Sequence, residues 1–329
     1  MKKVLITGAA GFIGAALSRR LLEEDPGTYV TGIDSLTDYY DPALKKERLK
    51  ELEVFGERFR FAKGDIADPL FVEDVMRSVH PDTVVNLAAQ AGVRYSLIQP
   101  QAYMHSNITG FYNILEACRS YKPGHLVYAS SSSVYGTDAR SPFREDAALL
   151  SPASLYAATK ISNEAMATAY SHLFGISATG LRFFTVYGPK GRPDMAYYKF
   201  TVRMKAGERI QIYNNGDMLR DFTYIDDITK GISLVINAGG NGESGIYNIG
   251  AGHPVKLLEF IDILEDELLE AGVIEERPER EFLPMQAGDV LETWCDTGKL
   301  EEKFGYRPET DLRTGLRAFA RWYRERYCV

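Results

Sequence analysis

The chain has 329 residues, 45% hydrophobic and 25% charged, a composition that excludes a disordered segment or a fibrous repeat. Its 38 Lys and Arg against 45 Asp and Glu leave a formal charge of −7, without the basic face a nucleic-acid binder presents. Cys118, Cys295 and Cys328 are too few and too scattered for a disulfide framework or thiolate metal site, and no apolar run approaches the roughly 18 residues of a membrane span.

In chain order, Met1-Lys2-Lys3 passes directly into an apolar run, so no signal peptide is expected and a soluble, cytoplasmic protein is. Short runs rich in β-branched residues predict strands at Val4–Ile6, Val30–Ile33, Phe59–Ala62, Thr83–Ala88, Leu126–Ala129 and Ala178–Phe184. Between them, Phe12–Glu24, Pro42–Val54, Pro69–Val79, Pro100–Tyr121 and Pro152–Phe174 have helical period and length. Asp68 before Pro69 reads as an N-cap followed by proline in the first turn. This alternation predicts an α/β fold, a doubly wound parallel sheet of Rossmann type, over residues 1–181. Beyond Arg182 the rhythm changes. Turns gather at Gly188–Asp194 and Asn214–Asp217, an apolar run follows at Gly245–Ile249, and an amphipathic helix at Leu257–Ala271 leads into a charged loop to Glu281. Residues 182–329 are therefore expected to form a smaller mixed α/β region closing over the carboxyl ends of the sheet.

Gly8, Gly11 and Gly14 place Gly-x-x-Gly-x-x-Gly after the first predicted strand and at the mouth of the first predicted helix. Glycine there allows a tight turn and close backbone approach to a pyrophosphate, which the positive end of the helix attracts. Asp34 ends the second strand 20 residues beyond Gly14. A carboxylate in that place accepts from a ribose 2′-hydroxyl and repels a 2′-phosphate, so NAD is expected rather than NADP. Asp65, closing the third strand, is either an adenine-binding acid or a plain turn residue. Asn86-Leu87-Ala88-Ala89-Gln90 brings small side chains to the end of the fourth strand, where a cofactor lies against the sheet or a helix packs closely.

Tyr156 and Lys160 stand four residues apart and share one helix face, downstream of a strand running into Ser130-Ser131-Ser132-Ser133. An ammonium one turn from a phenol favours the phenolate, turning a tyrosine of ordinary pKa about 10 into a base. A serine at the strand end can hold the oxygen that loses its proton. The five His are scattered without ligand spacing, so no metal is expected.

These motifs, with Arg220-Asp221-Phe222, resemble from end to end those of the extended short-chain dehydrogenase/reductase family. More narrowly, Asp38-Tyr39-Tyr40-Asp41-Pro42, the stretch from Ala89 to Ser96, that from Arg182 to Pro189, and Gly191-Arg192-Pro193-Asp194-Met195 are similar to the UDP-glucuronate 4-epimerases of that family. The resemblance implies NAD as cofactor, held by Gly8, Gly11, Phe12, Ile13, Gly14, Asp34, Ser35, Asp65, Ile66, Leu87, Ala88, Ala89, Gln90, Asn107, Tyr156, Lys160, Phe183 and Val186. It implies Ser131, Tyr156 and Lys160 as catalytic residues: Tyr156 deprotonating the sugar 4-hydroxyl, Lys160 lowering its pKa, Ser131 bonding the reacting oxygen. UDP-glucuronate and UDP-galacturonate are the implied substrate pair, contacted by Arg94, Ser96, Ser131, Ser132, Ser133, Gln211 and Tyr213. Thr185 and Arg192 fall at the uronate carboxylate, Arg220 at the diphosphate and Asp289 at the uridine ribose. A homodimer through the helices around Pro100–Tyr121 and Pro152–Phe174 is also implied, with Phe111, Ile114 and Leu115 facing either the partner or the sheet.

Two positions depart from the family pattern. Gln286 stands where many such epimerases carry a second phosphate-binding Arg, and Ser35 follows Asp34 where Asn is usual. Taken without the resemblance, Arg192 reads as a solvated loop charge and Arg220 as half of a surface pair with Asp221. Tyr39, Tyr40, Tyr197 and Tyr198 either line a sugar pocket or pack. The 4,6-dehydratases and UDP-glucuronate decarboxylases carry carboxylates near the serine cluster, where this chain has Ser131, Ser132 and Ser133. UDP-glucose 4-epimerase is the nearer alternative, and an intact Ser131, Tyr156 and Lys160 set argues against a catalytically silent NAD-binding regulator.

Overall fold

The computed structural model describes residues 1–137, 139–240, 242, 244–285 and 291–328. Each predicted run of the first half forms a strand: β1 (Lys2–Thr7), β2 (Thr28–Asp34), β3 (Phe59–Lys63), β4 (Thr83–Asn86), β5 (His125–Ser131) and β6 (Ala178–Phe183). There follow β7 (Thr185–Tyr187), β8 (Ile210–Tyr213), β9 (Leu219–Tyr224) and β10 (Gly245–Ile249). The last are β11 (Pro254–Lys256), β12 (Arg280–Leu283) and β13 (Glu292–Thr293). The large sheet has the order β3-β2-β1-β4-β5-β6-β10, parallel throughout. Its order reverses between β1 and β4, the switch point at whose carboxyl ends doubly wound folds hold ligands. Beyond β6, β9 pairs with antiparallel β11 and with parallel β7 and β13, while β8 pairs with β12. The chain does not divide cleanly at 181/182. The helix Ile225–Ala238 packs on Phe12–Glu24, and β10 completes the large sheet.

Local chemistry sets the element ends. Asp68 accepts from the N–H groups of Leu70 and Phe71 at 3.0 and 3.3 Å, with Pro69 in the first turn, so Pro69–Val79 begins where predicted. The helix expected from Pro152 starts at Leu155, because Ser154 accepts from Ala157 N at 3.1 Å and serves as its cap. The strand expected to reach Ala88 ends at Asn86. There the Thr7 hydroxyl donates to Asn86 Oδ1 at 2.7 Å and accepts from Ala88 N at 3.0 Å, turning the following residues out of the sheet. Pro100–Tyr121 is not one regular helix. A π-helical stretch, Met104–Gly110, lies between Pro100–Tyr103 and Phe111–Tyr121 and carries Asn107.

Phe111, Ile114 and Leu115 are buried among Leu5, Val84 and Leu126, so they face the sheet. Tyr197 and Tyr198 also pack: both are buried in the second region's core, Tyr197 edge-on to Phe319 at 4.9 Å. Among the described residues no helix is long and apolar enough to cross a membrane.

His125, at the start of β5, is buried with its Nε2 2.9 Å from Thr179 Oγ1 and its Nδ1 without a partner. Burial, and secondarily Lys2, push its pKa down to about 4. Below pH 6.5 the unfolded chain takes up a proton that the folded one refuses until about pH 4. Stability is therefore lost as pH falls through that window, by roughly 3 kcal/mol from this group. Urea unfolding at pH 7 and 4.5 should give a smaller loss for His125→Asn than for the parent.

Candidate active site and dinucleotide cleft

At the carboxyl ends of β1, β2, β4 and β5 lies a cleft of about 280 Å³. Gly8, with φ +69°, leaves β1 so close to the segment after β4 that a Cβ on it would lie 2.8 Å from Ala88 N. A Cβ on Gly14 would lie 2.2 Å from Gly8 O, so the helix Phe12–Glu24 can approach the turn only with glycine there. No side chain caps that helix, and Gly11, Phe12 and Ile13 at its start line the cleft. Asp34 accepts from Ala10 N at 3.1 Å and Leu36 N at 2.8 Å, which fixes its carboxylate beside the turn. Ser35, Asp65, Ile66, Leu87, Ala88, Ala89 and Gln90 continue the wall, and Phe183 and Val186 close its far end.

Asp65 has the bonding of a turn residue at the edge of the cleft. It faces the cleft, and as a turn residue it accepts from Ala67 N at 2.9 Å. Asn107 is not in the wall. Its Oδ1 accepts from Gln90 N at 2.8 Å and its Nδ2 donates to Gln90 O at 3.0 Å and Thr159 Oγ1 at 3.1 Å, so it positions Gln90 against the helix Leu155–Phe174.

Tyr156, Lys160 and Ser131 meet in the same cleft. Burial raises the Tyr156 phenol above its ordinary value, while the Ser131 hydroxyl and then the Arg192 guanidinium oppose the rise. Lys160 is not among those opposing influences. Its ammonium donates to Ala129 O at 2.8 Å, and burial pushes its own pKa down to about 8 against the pull of Glu164. Arg192 is thus a cation of the protein that favours the phenolate. Ser131 accepts from Ser133 N and Ser133 Oγ at 3.2 and 3.0 Å.

Arg192 also lines the cleft and forms a two-point pair with Asp194, 2.9 Å from Nε to Oδ1 and 2.5 Å from Nη2 to Oδ2. Tyr39 donates to Asp194 Oδ2 at 3.1 Å, and its phenol is pushed up to about 12 by burial and by that carboxylate. Arg192, together with its hydrogen bonds, holds the Asp194 carboxyl below its usual range against burial.

The other expected substrate contacts lie outside the cleft wall. Ser96 is buried and donates to Val93 O at 2.6 Å. Arg94 lies over the Tyr213 ring, 5.6 Å from its centre, and Tyr213 donates to Gln211 Oε1 at 3.4 Å, so these three form a separate group. Arg220 donates to Leu219 O and Leu291 O at 2.8 and 2.9 Å. Thr185 opens β7, and Ser132 begins the short helical turn after β5. Asp289 and Gln286 lie outside the described residues.

Thr37, Tyr39, Tyr40, Lys45, Ser106, Phe184 and Met195 line the cleft as well. The Tyr39-Tyr40 pair carried a sequence signal; Thr37 and Lys45 arrive by the packing of a loop and a helix that no spacing foretells.

A dinucleotide fits these residues, with glycines where a Cβ would block the turn, an open helix start, and a fixed carboxylate beside it. Residues 4–250 match the NAD dependent epimerase/dehydratase family. The chain belongs to that family. Its cofactor is NAD. It is 49% identical over 343 residues to an uncharacterized 37.6 kDa protein in the cld 5′ region of Escherichia coli O111:H-, covering 99% of this chain and 100% of the other. It is 43% identical over 336 residues to UDP-glucuronate 4-epimerase 3 of Arabidopsis thaliana, covering 97% and 76%. The crystal structure of UDP-glucuronic acid 4-epimerase from Bacillus cereus with UDP-glucuronic acid and NAD superposes with a TM-score of 0.91 at 33% identity, covering 99% and 100%.

Behind the face that carries Tyr156 and Lys160, this epimerase/dehydratase family enzyme holds a buried ion pair. Glu164, one further turn along the stripe of Tyr156 and Lys160, accepts from Arg182 Nε and Nη2 at 2.9 and 2.8 Å and from Ser130 Oγ at 2.5 Å. Removing one partner of a buried pair strands the other charge. Glu164→Ala should therefore lose about 3–5 kcal/mol in denaturant unfolding, and Glu164→Gln less.

Proposed function

We propose that the enzyme is a UDP-glucuronate 4-epimerase, interconverting UDP-glucuronate and UDP-galacturonate. The observation that carries the reading is the Arg192 guanidinium in the same cleft as Tyr156, near enough to act on its phenol. A cation at the reacting end of the sugar suits a C6 carboxylate, and charge-assisted two-point pairing is the strong form of that contact. Bound NAD supplies the reversible two-electron oxidation of C4.

Tyr156 takes the 4-hydroxyl proton and later returns it, Ser131 holds O4 in line, and Lys160 fixes the end of the cleft beside Ala129. The 4-keto uronate is a β-keto acid. Arg192 with Thr185 grips its carboxylate and disfavours the geometry of carbon dioxide loss. Ser131, Ser132 and Ser133 offer none of the carboxylates that dehydration needs. Arg220 and Asp289 take the diphosphate and uridine ribose, and Arg94, Ser96, Gln211 and Tyr213 belong to the nucleotide-sugar end. The homodimer is part of this proposal, its apolar surface being the exposed Met104, Tyr112, Leu173 and Phe174.

One observation favours the UDP-glucose 4-epimerase reading: Arg192 already has a carboxylate partner in Asp194. Proton NMR of the purified enzyme with UDP-glucuronate, without added NAD, decides. UDP-galacturonate is expected. A UDP-pentose product means decarboxylation, and turnover of UDP-glucose alone means a neutral-sugar epimerase.

A further inference from the structure

Arg48 takes no part in the reaction above, yet only 2% of it is exposed. It sits on the helix Pro42–Leu52, and its guanidinium joins three separate segments. Nη1 donates to Ala10 O at 3.0 Å, within the glycine turn, and to Tyr40 Oη at 2.7 Å. Nε and Nη2 donate to Lys190 O at 3.1 and 2.5 Å, and Nη2 also to Gly191 O at 3.2 Å. These acceptors are carbonyls and one phenol, with no carboxylate among them. A buried charge is costly, and such a site holds it by using its N–H groups. The planar fork of arginine can serve opposite sides at once, which an ammonium cannot.

Each end of the bridge adjoins a residue of the cleft wall, Ala10 next to Gly11 and Gly191 next to Arg192. Ala10 is held through its N–H by Asp34 and through its carbonyl by Arg48. At the other end Lys190 has φ +58°, a left-handed conformation that a lysine keeps only where its surroundings enforce it. Glu51, one turn beyond Glu47 and Arg48 on the same helix, pairs with the Lys190 ammonium. Arg192 follows two residues later, paired to Asp194, and Tyr39 beside Tyr40 returns to that carboxylate. The contacts close a ring from the dinucleotide turn to the Arg192 loop and back.

We infer that Arg48 is a positioning residue that couples the two halves of the cleft, so that a uronate held by Arg192 tightens the hold on NAD, and NAD pre-orders the Arg192 loop. The inference rests on the reading that Arg192 contacts the uronate. The coupling is reciprocal, as linkage requires.

The test uses the Tyr156→Phe background, which binds without turnover, and follows release of bound NAD with and without saturating UDP-glucuronate. About tenfold slowing by UDP-glucuronate is expected in this background, a typical size for coupled sites, and less than threefold when Arg48→Lys is added. Tenfold slowing retained with Arg48→Lys overturns the inference, as does no slowing without it. A second measurement needs no variant at position 48. Hydrogen exchange across residues 188–194 should slow when NAD is restored to stripped protein with no sugar nucleotide present, and unchanged exchange overturns the inference. Arg192→Ala separates the two readings: unchanged affinity for UDP-glucuronate there removes the carboxylate assignment, whereas the coupling itself is judged at Arg48.

Discussion

Tyr156→Phe is expected to lower kcat for epimerisation about a thousandfold, within the range that a positioned acid–base group contributes, while leaving NAD retention and the fold intact. The substitution removes a single oxygen. The ring keeps its edge contact with Tyr103, 5.9 Å between centres, and its place on a helix capped by Ser154. What disappears is the hydroxyl that bonds Ser131 and feels Arg192. Lys160 cannot replace it, because its ammonium is engaged with Ala129 O and a cation at neutral pH does not accept the 4-hydroxyl proton. Turnover followed by NMR, with NAD counted in the denatured protein, checks both halves. A loss below tenfold would mean that the proton leaves by another group.

The second large effect concerns selectivity. Arg192→Ala should reduce kcat/KM for UDP-glucuronate about a hundredfold, the weight of a charge-assisted contact of 1.5–3 kcal/mol plus the repulsion left behind. That repulsion has a definite source. Arg192 offsets the burial of the Asp194 carboxyl, and without it the fraction of Asp194 that stays ionised, its oxygen still bonded by Tyr39, repels the incoming uronate. Loss of kcat/KM for UDP-glucose should stay below tenfold, and the Arg192→Ala, Asp194→Ala double variant should recover part of the uronate activity. A freed carboxylate also predicts a larger share of decarboxylated UDP-pentose among the products. Competition assays with the two sugar nucleotides, with products resolved by NMR, measure all three. Equal losses on both substrates would show that Arg192 serves the loop and not the carboxylate.

The sheet and the glycine turn beside Asp34 were legible in the amino-acid order. Runs such as Val4–Ile6 and Gly245–Ile249 are short, apolar and β-branched, and glycines at positions 8, 11 and 14 with Asp34 at a fixed distance state a local requirement of backbone and charge. That Tyr156 and Lys160 share a helix face was legible for the same reason, since they are related by helix period, whereas Glu164 one turn further on carried no signal until Arg182 was packed against it. Packing between distant segments settled the rest. It brought Arg192 to the Tyr156 phenol, set the Lys160 ammonium on Ala129, and returned β10 and the helix Ile225–Ala238 to the first sheet. It also buried Arg48 between Ala10 and Lys190, 142 positions from one partner and 38 from the other. Periodicity and capping act within a few residues, whereas the surroundings of a charge depend on which distant segments pack around it.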